Sequence, residues 1–164
     1  MQSDRWRPST TVAAIAERDG RYLLVEEQTR EGLRLNNPAG HLEPGESLTA
    51  AVARETLEET GWRLAPEAVV GIYLARFVRP SFDEDVTYLR FAFCGALDGP
   101  DPSHRPEPGI VAVHWLTLAE VRASTARHRS PLVLQCIEDH AAGRRHPLSL
   151  LQFSPSLGSP WVMR

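Results

Sequence analysis

The chain has 164 residues, 42% hydrophobic and 24% charged, enough for one globular domain with its own core, and nothing in it marks a second. A net charge of −3 offers no field for duplex nucleic acid, which needs clustered Lys and Arg, so the expected substrate is a small metal-bound anion. Cys94 and Cys136 lack CxxC spacing and there is no signal-peptide or membrane-spanning run, so the expectation is a cytoplasmic protein, off the membrane, with both thiols buried.

In chain order, the first ten residues, with Trp6 and Pro8, read as a tail leading into a strand over Thr11–Ala16. A strand over Tyr22–Glu26 lies across Arg18-Asp19-Gly20, and this predicts a hairpin because Asp-Gly supplies the positive φ of the turn. A polar loop from Gln28 to Gly32 and the run Leu33-Arg34-Leu35 then deliver Asn36-Asn37-Pro38-Ala39-Gly40.

The next stretch carries both ends of a helix: a Pro44-Gly45 turn, Ser47 as N-cap, good helix formers from Ala50 to Leu57, and Gly61 as a stop. At about 100° per residue, Ala50, Ala53 and Leu57 share a face expected on the core, while Glu55, Glu58 and Glu59 gather on the opposite one. Residues three and four apart hold their Cβ atoms roughly 5–6 Å apart, so the three carboxylates repel unless a positive group intervenes. Carboxylates without nearby Cys or His suit a hard ion, Mg²⁺ or alternatively Mn²⁺, whose shell phosphate oxygens complete. The bland alternative is a solvated acidic face in which Arg54–Glu58 is an ordinary i,i+4 pair. A glycine loop at a fixed offset, Glu46 before the helix and Arg54 within it weigh against that. Gly40 either lets its carbonyl approach a cation closely or is a simple turn glycine.

Ala65-Pro66 is expected to break the chain before a strand from Val69 to about Val78, and Asp83-Glu84-Asp85 sits in a polar loop. In the strand Val86–Phe93, Leu89, Phe91 and Phe93 alternate with Tyr88, Arg90 and Ala92. If the Tyr88 face lines a cleft, Arg90 grips a phosphate there; otherwise it is an exposed strand Arg. Residues 99–109, with four prolines, form an irregular loop ending near Glu107, followed by a strand over Ile110–Trp115. Thr117 and Glu120 have capping-box spacing. A further helix starts at Ser130-Pro131, with Ser130 as N-cap, and runs to about Ala142, its stripe Val133, Cys136 and Ile137 facing the core. Residues 1–148 thus form one domain, and 149–164 a tail whose Leu150, Leu151, Phe153 and Trp161 are too apolar for disorder and pack on the domain or on a partner subunit. Monomer and homodimer both stay open. The element order predicts an α/β fold with a mixed sheet between helices.

Gly40, Glu46, Arg54, Glu55, Glu58, Glu59 and Gly61 resemble the Nudix box, GX5EX7REUXEEXGU, of the Nudix hydrolases, with Thr56 and Trp62 at two positions that are ordinarily apolar. The resemblance implies an α/β/α sandwich, phosphoanhydride hydrolysis, and a metal-ligand role for the Gly40 carbonyl. Glu55, Glu58 and Glu59 are then the metal carboxylates, and Glu46 with Arg54 a pair that braces the loop against the helix. The metal neutralises phosphate charge and acidifies a bound water. Glu55 is the favoured general base. Glu107 is an additional ligand or base, Asp83, Glu84 and Asp85 are rivals, and His41 is a substrate contact or a plain loop His.

The segments NNPAGHLE from Asn36, Leu89-Arg90-Phe91, RSPLV from Arg129 and GRRHPL from Gly143 further resemble the NudJ-type phosphatases. That likeness implies hydrolysis of nucleoside tri- and diphosphates or of hydroxymethylpyrimidine pyrophosphate, with release of orthophosphate. Leu35 stands where that group has Trp, which removes a stacking surface for a ring. The rival enzyme cleaves ADP-ribose or another nucleoside diphosphate joined to a second group. A rival from another class is a catalytically silent nucleotide-binding module, against which the full carboxylate set argues. Ser/His/Asp catalysis has no support, since neither GxSxG nor HExxH occurs.

Overall fold

The computed structural model describes residues 5–162; the start of the expected N-terminal tail and the last two residues of the C-terminal one lie outside them. Two sheets form the frame. The first has the order β5 (Ala39–His41), β1 (Ser9–Ala14), β7 (Glu84–Asp98), β6 (Arg63–Arg79), β9 (His146–Pro147). It is mixed: β1 runs parallel to β7, Thr11 beside Arg90, and the other pairs are antiparallel. The second is antiparallel, with β3 (Arg21–Thr29) between β4 (Gly32–Asn36) and β8 (Ile110–Thr117), and β2 (Glu17–Arg18) also pairing with β3.

Asp19 and Gly20 both take positive φ, 53° and 76°, as a two-residue hairpin turn demands. The arm it returns from is β2, however, and not the strand at Thr11, which joins the other sheet. The polar loop expected at Gln28–Gly32 is mostly strand, with only Arg30-Glu31 turning between β3 and β4. Pro66 does not break the chain either. β6 runs through it because register shifts between Pro66 and Ala68 and between Val69 and Gly71 absorb the irregularity.

Helix α1 (Leu48–Thr60) begins where Ser47 accepts from the Ala50 N–H at 3.2 Å and ends at Gly61 in the left-handed region, φ 75°. Its buried face is the reverse of the one expected: Ala51, Val52, Glu55, Thr56, Glu59 and Thr60 point inward, and Ala50 is exposed. Ala51 and Val52 pack with Val12, Ala14, Val69 and Phe93 of the mixed sheet. Burying the polar members of this face is tolerable because each finds a partner. Thr56 and Thr60 donate to the carbonyls of Val52 and Thr56, and Glu59 accepts from the Ala39 N–H at 2.9 Å. Trp62, at the other unusual position, packs edge-on against Trp115 with centroids 5.5 Å apart.

On the opposite side of the mixed sheet, α2 (Leu118–Ala123) and α3 (Leu132–Ala141) close a core of Ile15, Leu24, Leu35, Val70, Val121, Val133, Cys136 and Ile137. Thr117 and Glu120 form a complete capping box. Ser130 does not cap α3 with its side chain; Pro131 occupies that position, and Ser130 serves through its carbonyl, which accepts from the Val133 N–H. After β9, Leu148 and Leu151 pack against the α1 side of the core, while Leu150, Phe153 and Trp161 are exposed. No helix among the described residues is long and apolar enough to cross a membrane.

Candidate active site

The last two turns of α1 face β5, and the contact sets the site. An ideal Cβ on Gly40 would lie 2.0 Å from Cδ of Glu55, so the residue is glycine because the Glu55 carboxylate rests on its Cα. Arg54 leans across the same corner. It donates to both oxygens of Glu46, Nη2 to Oε1 at 2.7 Å and Nε to Oε2 at 3.1 Å, and its Nη1 reaches Glu55 at 2.8 Å and Glu58 at 3.0 Å. Nη2 also donates to the His41 carbonyl at 3.1 Å. One guanidinium thus ties the loop, β5 and two helix carboxylates together, and its hydrogen bonds, first of all to Glu46, raise its pKa further above the ordinary range. The same pairing holds the Glu46 carboxyl below its usual value.

The loop before β8 brings a third acid to this corner. The backbone N–H groups of Asp101 and Glu107 donate to the carbonyls of Gly61 and Glu58, which have no partner within the helix, and so pin the loop to the last turn of α1. Glu55, Glu58 and Glu107 then offer carboxylate oxygens that all lie within 4.8 Å of one another. This is an oxygen-only donor set suited to a hard divalent ion, and the glycine beside it leaves the β5 backbone open to the same point. Glu59 lies outside the trio, buried and held by the Ala39 N–H; burial pushes its carboxyl up to about 8, against the lowering pull of that amide. Burial also raises Glu55, with Arg54 opposing. Asp83, Glu84 and Asp85 stand at the β6–β7 turn, where Glu84 pairs with Arg79 and Asp85 with Arg76.

The other face of Gly40 opens into a cavity of about 220 Å³ whose lining includes Glu27, Asn36, His41, Phe77, Arg79, Tyr88, Arg90 and Arg129. Arg90 and Tyr88 share this face, as the alternation of β7 predicts, and Arg90 is only 8% exposed. Burial lowers its pKa, and the contact it makes with the Asn37 side chain is long, 3.5 Å. His41 sits at the rim, its Nδ1 within 3.1 Å of the Ser9 hydroxyl. Leu35, the residue expected to matter for ring stacking, is 1% exposed in the core and does not reach the cavity; the aromatic rings that do are Phe77 and Tyr88, with centroids 6.0 Å apart. Glu27, Phe77 and Arg79 had no motif to announce them. The sequence signals for this wall were the alternation of β7 and the NNPAGHLE, Leu89-Arg90-Phe91 and RSPLV segments, which contain Asn36, His41, Arg90 and Arg129.

The family model for the NUDIX domain matches residues 5–136. The chain is 32% identical over 146 residues to phosphatase NudJ of Escherichia coli, an overlap of 89% of this chain and 92% of that protein. Among solved structures it is similar to a NUDIX hydrolase from Nitrosomonas europaea, with TM-score 0.83 and 50% identity over 90% of this chain and 98% of the other. A MutT protein from Methanosarcina mazei, at 21% identity and TM-score 0.63 over 85% of this chain and 98% of its own, is similar in fold alone.

Proposed function

The chain belongs to the Nudix hydrolases, enzymes that act on phosphoanhydride bonds, and on that premise we propose a Mg²⁺-dependent phosphatase of nucleoside tri- and diphosphates or a pyrimidine pyrophosphate, releasing orthophosphate. The observation that carries this reading is the seam at Gly40, with three clustered carboxylates on one side and a cavity with cationic and aromatic walls on the other. Glu55, Glu58 and Glu107, with the Gly40 carbonyl, would hold a divalent ion, which would neutralise charge at the phosphates and acidify the attacking water. Glu59 adds a carboxylate beside Glu55 whose present partner is the Ala39 amide. Arg54 engages Oε1 of Glu55, which leaves Oε2 toward the ion site, and Glu55 is also the carboxylate that stands to take the proton of the water. Glu46 and Arg54 hold β5 and the helix at fixed separation, and Arg90 and His41 meet the substrate on the cavity side. The name of the Escherichia coli relative supports the choice of a phosphatase. A reducing cytoplasm suits Cys94 and Cys136, both buried and both free.

A panel of nucleoside tri- and diphosphates, hydroxymethylpyrimidine pyrophosphate and ADP-ribose, assayed with Mg²⁺ for orthophosphate and for nucleoside monophosphate, tests the reading. Orthophosphate from the first three classes is expected. Turnover of ADP-ribose alone, with monophosphate as product, overturns it.

A further inference from the structure

The cavity beyond Gly40 has a polar wall that the hydrolysis of a phosphate does not use. Glu27 on β3 and Asn36 on β4 stand side by side there, Asn36 Nδ2 donating to Glu27 Oε1 at 3.3 Å. That bond fixes the orientation of the amide, because an ionised carboxylate cannot donate; Oδ1 of Asn36 is therefore the acceptor left over. It has no partner among the described residues although Asn36 is only 7% exposed. Glu27 is similarly half-used. Arg129 Nε, 3.5 Å away, also addresses Oε1, and no described side chain hydrogen-bonds Oε2. Two acceptors, one of them anionic, thus belong to neighbouring residues that line a partly closed cavity, and the buried Oδ1 has no donor among the described residues.

The buried Asn36 Oδ1, left without a donor, is costly, and native interiors rarely keep such an acceptor unless a ligand completes it; Oε2 of Glu27 beside it is reached by solvent. The missing group must bring at least one N–H or O–H and must fit beside the rings of Phe77 and Tyr88. Phosphate is anionic and would be repelled by Glu27, so it belongs at the arginines of the cavity or at the carboxylate trio. A heterocycle with an exocyclic amine satisfies every condition: its two N–H bonds match two acceptors, and its π face suits the aromatic wall.

We propose that the Glu27–Asn36 pair is a specificity device that reads an exocyclic amine on the ring of the substrate, and so selects amino-substituted rings over their oxo counterparts. This rests on the nucleotide-phosphatase reading above and narrows it. A site built to hydrogen-bond one group discriminates strongly against an analogue lacking it, because the buried partners are then left unpaired.

The test compares kcat/KM with Mg²⁺ for cytidine against uridine triphosphate and for adenosine against inosine triphosphate, in alkaline buffer so that the raised pKa of the buried Glu27 adds no proton. Binding of cytidine and uridine monophosphates is measured by calorimetry alongside. The wild-type protein is expected to favour the aminated member of each pair about tenfold or more, in turnover and in binding. In Glu27→Gln an amide nitrogen replaces the free oxygen and donates into the cavity, so the cytidine–uridine preference should reverse, which loss of stability would not produce. Asn36→Leu, which removes one acceptor at similar size, should weaken the preference without reversing it. Equal rates and equal binding within each pair, or a preference that Glu27→Gln leaves intact, overturn the proposal while the phosphatase reading stands. Selective binding of cytidine monophosphate without hydrolysis of any nucleotide supports the proposal and sinks the phosphatase reading instead.

Discussion

Gly40 and Glu55 are in such close contact that a single methyl group cannot be placed between them: the added Cβ would sit 2.0–2.2 Å from three atoms of the Glu55 carboxylate. In Gly40→Ala the carboxylate must swing away from β5. Misplacing one group of a catalytic set by about 1 Å is worth roughly a hundredfold in rate, and kcat/KM is expected to fall by at least that. The overpacking costs about 1–3 kcal/mol, so a thermal melt should show a folded protein with a lowered midpoint. Near-normal activity would mean that Glu55 does not act where it now rests.

The carboxylate trio makes a separate prediction. Glu58 is only partly buried, and neither it nor Glu107 belongs to an apolar core. Glu58→Gln and Glu107→Gln should therefore fold normally and lose Mg²⁺-dependent turnover by about a hundredfold or more, the scale of losing one electrostatic contact to the transition state. Mn²⁺ titrated by calorimetry should bind both variants more weakly than the wild type. Unchanged affinity in both would remove them from the ion site.

Which parts of this site were legible in the sequence follows from how far apart its pieces lie. Ser47, Gly61, Asp19-Gly20 and the Thr117–Glu120 box act on neighbours within a few residues, so their effects were readable locally. The face of α1 was not. Counting apolar residues sent Ala50, Ala53 and Leu57 inward, but the helix turns its acids toward the sheet, because Gly40 leaves room for Glu55 and the Ala39 N–H satisfies Glu59. That requires knowing what β5 presents. The course of β6 through Pro66 likewise depends on bulges set by its partner β7. The cavity wall draws one or two residues each from β3, β4, β6, β7 and the segment before α3, a set that only the folded chain assembles.

Stability should depend on pH through His140. Its Nδ1 lies 3.1 Å from the Tyr22 hydroxyl, and the Arg145 guanidinium donates to its Nε2. Adding a proton would set an N–H against that cation, and burial together with Arg145 lowers the pKa from 6.5 to about 4. The folded form is the weaker base, so as pH falls the unfolded chain takes up the proton first. Stability is then full above pH 6.5 and declines until about pH 4. With a discount for partial exposure of the ring, the loss is about 1–2 kcal/mol. His140→Gln should flatten the denaturation free energy across that window. An unchanged slope would show that His140 is already protonated in the folded protein or titrates normally.

Hydrolysis of cytidine triphosphate in heavy-oxygen water with Mg²⁺, read by mass spectrometry of the products, reports which phosphorus the attacking water reaches at the Glu55–Glu58–Glu107 corner. The label is expected in orthophosphate, with unlabelled cytidine diphosphate as the other product, and none of it should appear with Glu58→Gln. Label in cytidine monophosphate beside unlabelled pyrophosphate would contradict a phosphatase.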